Sequence, residues 1–125
     1  VHAIIFPKKE SAAVNDVAVK ISAGALLKTP ICRVDNIIAT IKDIKNNGIK
    51  LVGLDGTAQK YFYEIDARMP LALIAGSEDE GISNAVIRQM DELAKLPMSS
   101  ALESYNVSVA TAMALYEVKR QKLNL

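Results

Sequence analysis

The run Leu71-Ala72-Leu73-Ile74-Ala75 passes directly into Gly76-Ser77-Glu78-Asp79-Glu80-Gly81, and this junction decides how the chain folds. Five apolar residues in succession have the length of a strand buried on both faces, which suits a parallel sheet covered by helices. The run is therefore expected in the middle of the sheet. Beyond the glycine-bracketed loop, Ile82, Val86 and Met90 fall on one face of a helix starting near Ser83. Strand, loop and helix N-terminus in this order put free backbone N–H groups at the carboxyl end of a strand, where open α/β sheets hold their ligands.

A second junction repeats the pattern. Asp91 to Leu96 reads as the last strand, Leu96-Pro97-Met98 opens a loop, and Ser104-Tyr105-Asn106-Val107-Ser108-Val109-Ala110 starts a helical pattern running to Lys122. As structure, Ser104 is an N-cap contributing roughly 1 kcal/mol. As function, Ser104 and Asn106 can orient a substrate hydroxyl. The helix they open is apolar almost all round, with Val107, Val109, Ala110, Ala112, Met113, Ala114, Leu115, Tyr116 and Val118. One sheet face covers half of such a helix, so a second copy of the chain across a two-fold axis is expected on the other half.

Upstream, Val1 to Phe6 reads as a core strand already under way, and a segment before it is expected. Pro7 to Ser11 is a loop. Asn15 or Asp16 caps a short helix carrying Val17 and Ile21 and ended by Gly24, and an edge strand begins at about Ile31 after Pro30. Asp35 is read as the N-cap of a helix with an Ile37, Ile38, Ile41 and Ile44 stripe, stopped at Asn46-Asn47-Gly48. Ile49 to Leu54 is the next strand, followed by the turn Asp55-Gly56-Thr57. Tyr61-Phe62-Tyr63 is the aromatic cluster. It packs a surface loop on the core, or it stacks on a nucleobase.

Length and composition bound the rest. A chain of 125 residues that is 50% hydrophobic, aliphatic-rich and free of Trp fits one α/β domain. The formal charge of +1 does not announce a nucleic-acid binder, so any RNA contact is local, with Lys8-Lys9 and Lys119-Arg120-Lys122 as candidate patches or plain solvated surface. With a single Cys32 and a single His2, neither an internal disulfide nor a structural zinc site is possible, which fits a reducing compartment. No apolar run has the ~20 residues of a membrane span. A cytoplasmic protein without membrane or metal is expected. Glu78, Asp79 and Glu80 make the first loop a poor phosphate cradle, and its spacing matches neither a P-loop nor a dinucleotide fingerprint. An unrelated doubly wound nucleotide-binding domain is the alternative suggested by the strand-loop-helix pattern alone.

At these residues the chain resembles the SpoU/TrmH family of RNA ribose 2′-O-methyltransferases, in the SPOUT class. One family motif appears as Leu73-Ile74-Ala75-Gly76-Ser77-Glu78 with Gly81. Another appears as Leu96-Pro97-Met98, then Glu103 to Ala110, closed by Leu115-Tyr116-Glu117 and Arg120-Gln121. Weaker likenesses at Lys20 to Ala25 and Val52 to Asp55 extend the match over nearly the whole chain. The resemblance implies an α/β fold, a mostly parallel sheet flanked by helices with a C-terminal trefoil knot, and a homodimer through the C-terminal helix. It also implies S-adenosylmethionine as cofactor and an rRNA or tRNA ribose 2′-hydroxyl as methyl acceptor.

Carried over by motif position, Leu54, Gly56, Gly76, Leu96, Met98, Tyr105 and Ala110 would contact the cofactor, and Glu78, Ser104 and Asn106 would order the catalytic centre. Asp79 and Ser100 stand where glycine is usual, and Tyr105 where leucine is usual. The family's first motif, Asn-Leu-Gly followed by an arginine that relieves the hydroxyl of its proton, has no counterpart in residues 1–125. The resemblance therefore implies a methyltransferase domain whose first strand and motif lie upstream. A catalytically inactive relative that binds RNA or a nucleoside is the competing expectation.

Overall fold

The computed structural model describes residues 1–7, 29–77, 80–97 and 107–124. They divide into two compact units, Val1–Thr40 and Ile41–Leu125. In the first unit, β1 (Ile4–Pro7) and β2 (Ile31–Val34) pair in parallel, Ile4 opposite Ile31 and Pro7 opposite Val34. The strand predicted from Val1 starts instead at Ile4, whose N–H donates to the Pro30 carbonyl at 2.9 Å, and it includes Pro7. The helix predicted around Val17 and Ile21 lies outside the described residues.

Helix α1 (Ile37–Asn46) follows from the isoleucine stripe. Its cap is Asn36 and not Asp35: the Asn36 Oδ1 accepts from the Ala39 N–H at 3.1 Å. An N-cap oxygen reaches the amide three residues on, and Asp35 stands one residue too early for that. The stop is as expected, with Gly48 at φ 78° and its N–H donating to the Lys45 carbonyl at 3.0 Å.

In the second unit, β3 (Lys50–Leu54), β4 (Leu71–Ile74) and β5 (Glu92–Ala94) form a parallel sheet in the order β4-β3-β5. Among the described residues, the expectation that Leu71 to Ala75 is the central strand is corrected. β3 lies between the other two and carries fully buried Leu51 and Val52, whereas every residue of β4 is half-buried. A continuous apolar run records burial on two faces but not the number of strand neighbours. At Gly53 an added Cβ would stand 2.9 Å from Leu93 Cδ2 and 3.1 Å from Ile82 Cδ1, so the segments crossing β3 pack directly on its backbone.

The helix read through Ile82, Val86 and Met90 is one turn, α2 (Asn84–Ile87), capped by Ser83 Oγ, which accepts from the Val86 N–H at 3.3 Å. The core gathers Val52, Phe62, Ile65, Ala94 and Ala114, with Leu54, Leu71, Leu73, Leu96 and Val118 packed around them. Phe62 reaches it from a 3-10 turn (Phe62–Glu64) and is fully buried. Helix α3 (Val107–Lys122) packs on this core through Ala114 and Val118, while Leu115 and Tyr116 are exposed.

A polar clamp ties α3 down. The Gln121 amide donates to the Ile65 carbonyl at 2.9 Å, and its Oε1 accepts from the Ala67 N–H at 2.8 Å. The same amide donates to Glu117, which also accepts two bonds from Arg120 at 2.7 and 2.8 Å. The Arg120 guanidinium is the main cause that holds the Glu117 carboxyl below its ordinary range.

Candidate functional site

Parallel register determines where the site forms. Gly53 pairs with Ile74 and Leu54 with Ala94, so β3, β4 and β5 end side by side at one edge. That edge carries Leu54, Gly56, Gly76 and Leu96, four of the residues expected to meet a ligand. Leu54 and Leu96 are half-buried and pack on the core, which gives the edge an apolar floor. Ala110 is half-buried near the start of α3. Met98, Tyr105, Glu78, Ser104 and Asn106 lie outside the described residues.

The turn after β3 is held by Asp55, whose Oδ1 accepts from the Thr57 N–H at 2.9 Å and the Thr57 hydroxyl at 2.8 Å. The Asp55 N–H donates to the Ala94 carbonyl at 2.9 Å, joining the ends of β3 and β5. Gly56 then faces open space: a Cβ there would meet nothing within 4 Å. Among the described residues, the main chains of Gly56 and Leu96 have no hydrogen-bond partner. Their polar groups are available to a ligand lying across the edge.

At Gly76, expected to contact the cofactor, the space beside the Cα is filled by the loop's own backbone, the Gly81 carbonyl and the Ile82 nitrogen. The loop closes through a Gly81 N–H to Ser77 carbonyl bond of 2.9 Å, with the Glu80 N–H donating to Ser77 Oγ at 3.1 Å and Gly81 at φ 67°. Both bracketing glycines are thus required by the turn itself.

Beside β5 the chain adds a further strand-like contact. The Lys95 N–H donates to the Lys60 carbonyl at 2.9 Å and the Phe62 N–H to the Lys95 carbonyl at 2.8 Å, so residues 60–62 run along the end of β5. Glu92 is bracketed by Lys50 at 2.6 Å and Lys60 at 2.8 Å, and bonding to these lysines, Lys50 first, lowers its proton affinity. An open groove of about 460 Å³ lined by Lys45, Gly48, Ile49, Lys50 and Asp91 lies at the amino end of β3, the wrong edge for the residues above. Its charged groups are already paired, Lys45 with Asp91 and Lys50 with Glu92. Among the described residues no group of His, Cys, Asp or Glu is placed to hold a metal ion, and no helix is long and apolar enough to cross a membrane.

Comparison with known proteins decides the family. The sequence model of the SpoU rRNA Methylase family matches residues 1–116. This chain belongs to that family. Among curated SpoU-type relatives, the 23S rRNA (guanosine-2′-O-)-methyltransferase RlmB of Xanthomonas campestris is 39% identical over 98% of this chain and 49% of its own length. The A. aeolicus TrmH/SpoU tRNA modifying enzyme superposes with a TM-score of 0.86 at 28% identity, over 98% of this chain and 62% of that one. The SpoU methyltransferase AviRb of Streptomyces viridochromogenes, solved with the cofactor AdoMet, gives a TM-score of 0.86 at 27% identity, over 99% of this chain and 51% of that one. The α/β fold with parallel sheets is thus that of SpoU methyltransferases. The chain spans about half or less of the length of the curated relatives it matches.

Proposed function

We propose that this chain forms the cofactor-binding and catalytic part of an S-adenosylmethionine-dependent enzyme that methylates a ribose 2′-hydroxyl of rRNA or tRNA. The observation that carries the proposal is the convergence of three parallel carboxyl ends on one edge, where the main chains of Gly56 and Leu96 have no hydrogen-bond partner among the described residues, above the apolar Leu54 and Leu96. An adenosine-containing ligand requires such a surface: apolar walls for its ring and backbone groups for its polar edge. The residues present therefore fit the cofactor. Leu54, Gly56, Gly76, Leu96, Met98, Tyr105 and Ala110 would hold it.

When bound, S-adenosylmethionine supplies a methyl group on a sulfonium, open to in-line attack by an oxygen nucleophile. A ribose hydroxyl is a weak nucleophile, so position and proton removal limit its attack. Asn106 and Ser104 would orient that hydroxyl, and Glu78 would order the loop facing it. The arginine that the family resemblance assigns to proton removal is not among residues 1–125. The knotted C-terminal segment of SPOUT proteins and a homodimer through α3 belong to the same proposal. Exposed Leu115 and Tyr116 on α3, with exposed Leu123 just beyond its end, support the dimer. The free, exposed thiol of Cys32 fits a cytoplasmic setting.

Titration calorimetry with S-adenosylhomocysteine tests the pocket, with a dissociation constant of about 1 μM or tighter expected, roughly −8 kcal/mol. Transfer of labelled methyl from the cofactor to RNA tests the reaction, since 2′-O-methylation makes the adjacent phosphodiester resistant to alkali. Label in an alkali-sensitive nucleotide, or on a base, rules out ribose methylation. RNA binding with no cofactor binding would establish the inactive relative instead.

A further inference from the structure

We propose that the Tyr61–Tyr63 pair is a stacking platform for an unpaired nucleobase of the RNA, beside the edge that holds the cofactor. The inference rests on the methyltransferase reading for the identity of the RNA, but its geometry stands apart from it. The two rings stack with centroids 5.3 Å apart and planes 13° from parallel. Tyr63 is 56% exposed, whereas Phe62 between them in sequence is completely buried. The triplet thus divides its labour: Phe62 fixes the 3-10 turn to the core, and the flanking tyrosines are ordered as a pair with one ring largely in water.

The order is built in. The turn is held by the Phe62 N–H to Lys95 carbonyl bond and by Glu64, whose Oε1 accepts from the Tyr61 N–H at 3.3 Å. Lys95 immediately precedes Leu96, so the pair is fastened to the end of β5 that carries a residue of the proposed cofactor site. Charge points to the occupant. The Lys95 ammonium lies 4.8 Å from the Tyr61 ring centroid and, among the described residues, pairs with no carboxylate, whereas Lys50 and Lys60 both bond Glu92. A cation with no carboxylate partner among the described residues, set against a stack whose Tyr63 ring is exposed, suits a base with its phosphate: the ring face takes the base, and the ammonium takes the backbone charge. In a chain of net charge +1, such local recognition can operate without a broad basic surface.

The chain has no Trp, so Tyr63→Trp introduces a single reporter at the exposed ring. Titrated with short single-stranded oligoadenylate, its emission should be quenched saturably, and an abasic ribose-phosphate strand of equal length should leave it unchanged. Tyr63→Ala should weaken oligoadenylate binding about tenfold, with Tyr63→Phe close to wild type. S-adenosylhomocysteine affinity, measured on the same variants, should not change. Equal quenching by the abasic strand, no quenching at all, or undiminished binding by Tyr63→Ala overturns the platform. Cofactor binding without quenching overturns the platform alone; quenching without cofactor binding upholds the platform and counts against the methyltransferase reading.

Discussion

Gly76 lies against Gly81 so closely that the carbonyl of the second fills the place of a side chain on the first. The loop between β4 and α2 is thereby a closed backbone turn, and its two glycines serve different needs: Gly76 leaves room, and Gly81 supplies a left-handed φ of 67°.

Substituting Gly76 by Ala should consequently destabilise the protein by about 1–3 kcal/mol, because the obstacle is backbone and cannot rotate away. Gly81→Ala should cost about 1–2 kcal/mol through its φ alone. Urea denaturation of both variants checks this. A wild-type midpoint for Gly76→Ala would show that the turn is not closed.

Gly56→Ala makes the opposite case. The Cβ would meet nothing within 4 Å, so stability should stay within about 0.5 kcal/mol of wild type. If that open space belongs to the cofactor, S-adenosylhomocysteine affinity should fall by about tenfold, or 1.4 kcal/mol, in calorimetry.

Gln121 joins α3 to the backbone at Ile65 and Ala67, both buried. Gln121→Ala strands one donor and one acceptor and should cost about 2–4 kcal/mol in chemical denaturation. Gln121→Glu keeps an acceptor for Ala67 but loses the donor to Ile65 and sets a second carboxylate beside Glu117. It should also destabilise, and more strongly at neutral pH than in acid.

Three carboxylates set the acid limb of stability. Hydrogen bonding to Arg120 depresses Glu117, bonding to Lys50 and Lys60 depresses Glu92, and Arg68 holds Asp66 down to about 2. A carboxyl depressed in the folded state binds protons less readily than in the unfolded chain. Its contribution is therefore complete above the ordinary carboxylate value of about 4.3 and is lost as pH falls through the folded values. Stability measured by urea should be flat from neutrality to about pH 5 and then decline, less steeply in Glu117→Gln and Glu92→Gln.

Tyr116 is 70% exposed on α3. If a second copy covers that face, Tyr116→Glu should convert the dimer to monomer in sedimentation velocity while leaving the unfolding midpoint of the monomer near wild type. A dimer that survives the charge would place the interface elsewhere.

The sequence by itself determined the elements and the family. The isoleucine stripe of α1, the Gly48 stop, the Asp55-Gly56-Thr57 turn and the strands at Ile31 and Leu71 are local signals, set by side-chain period and by backbone preference over a few residues. The motif residues from Leu73 to Gly81 and from Leu96 onward carried the resemblance for the same reason: their spacing is written along the chain. Tertiary structure alone decided that β3 and not β4 is central, because strand order depends on where the crossovers land and an apolar run looks the same in either place. It also decided that Gly81 fills the space at Gly76, that Gln121 closes on Ile65 and Ala67, and that Tyr61 and Tyr63 stack while Phe62 alone is buried. Each of these is settled by which segments pack together in space, and no periodicity along the chain records that.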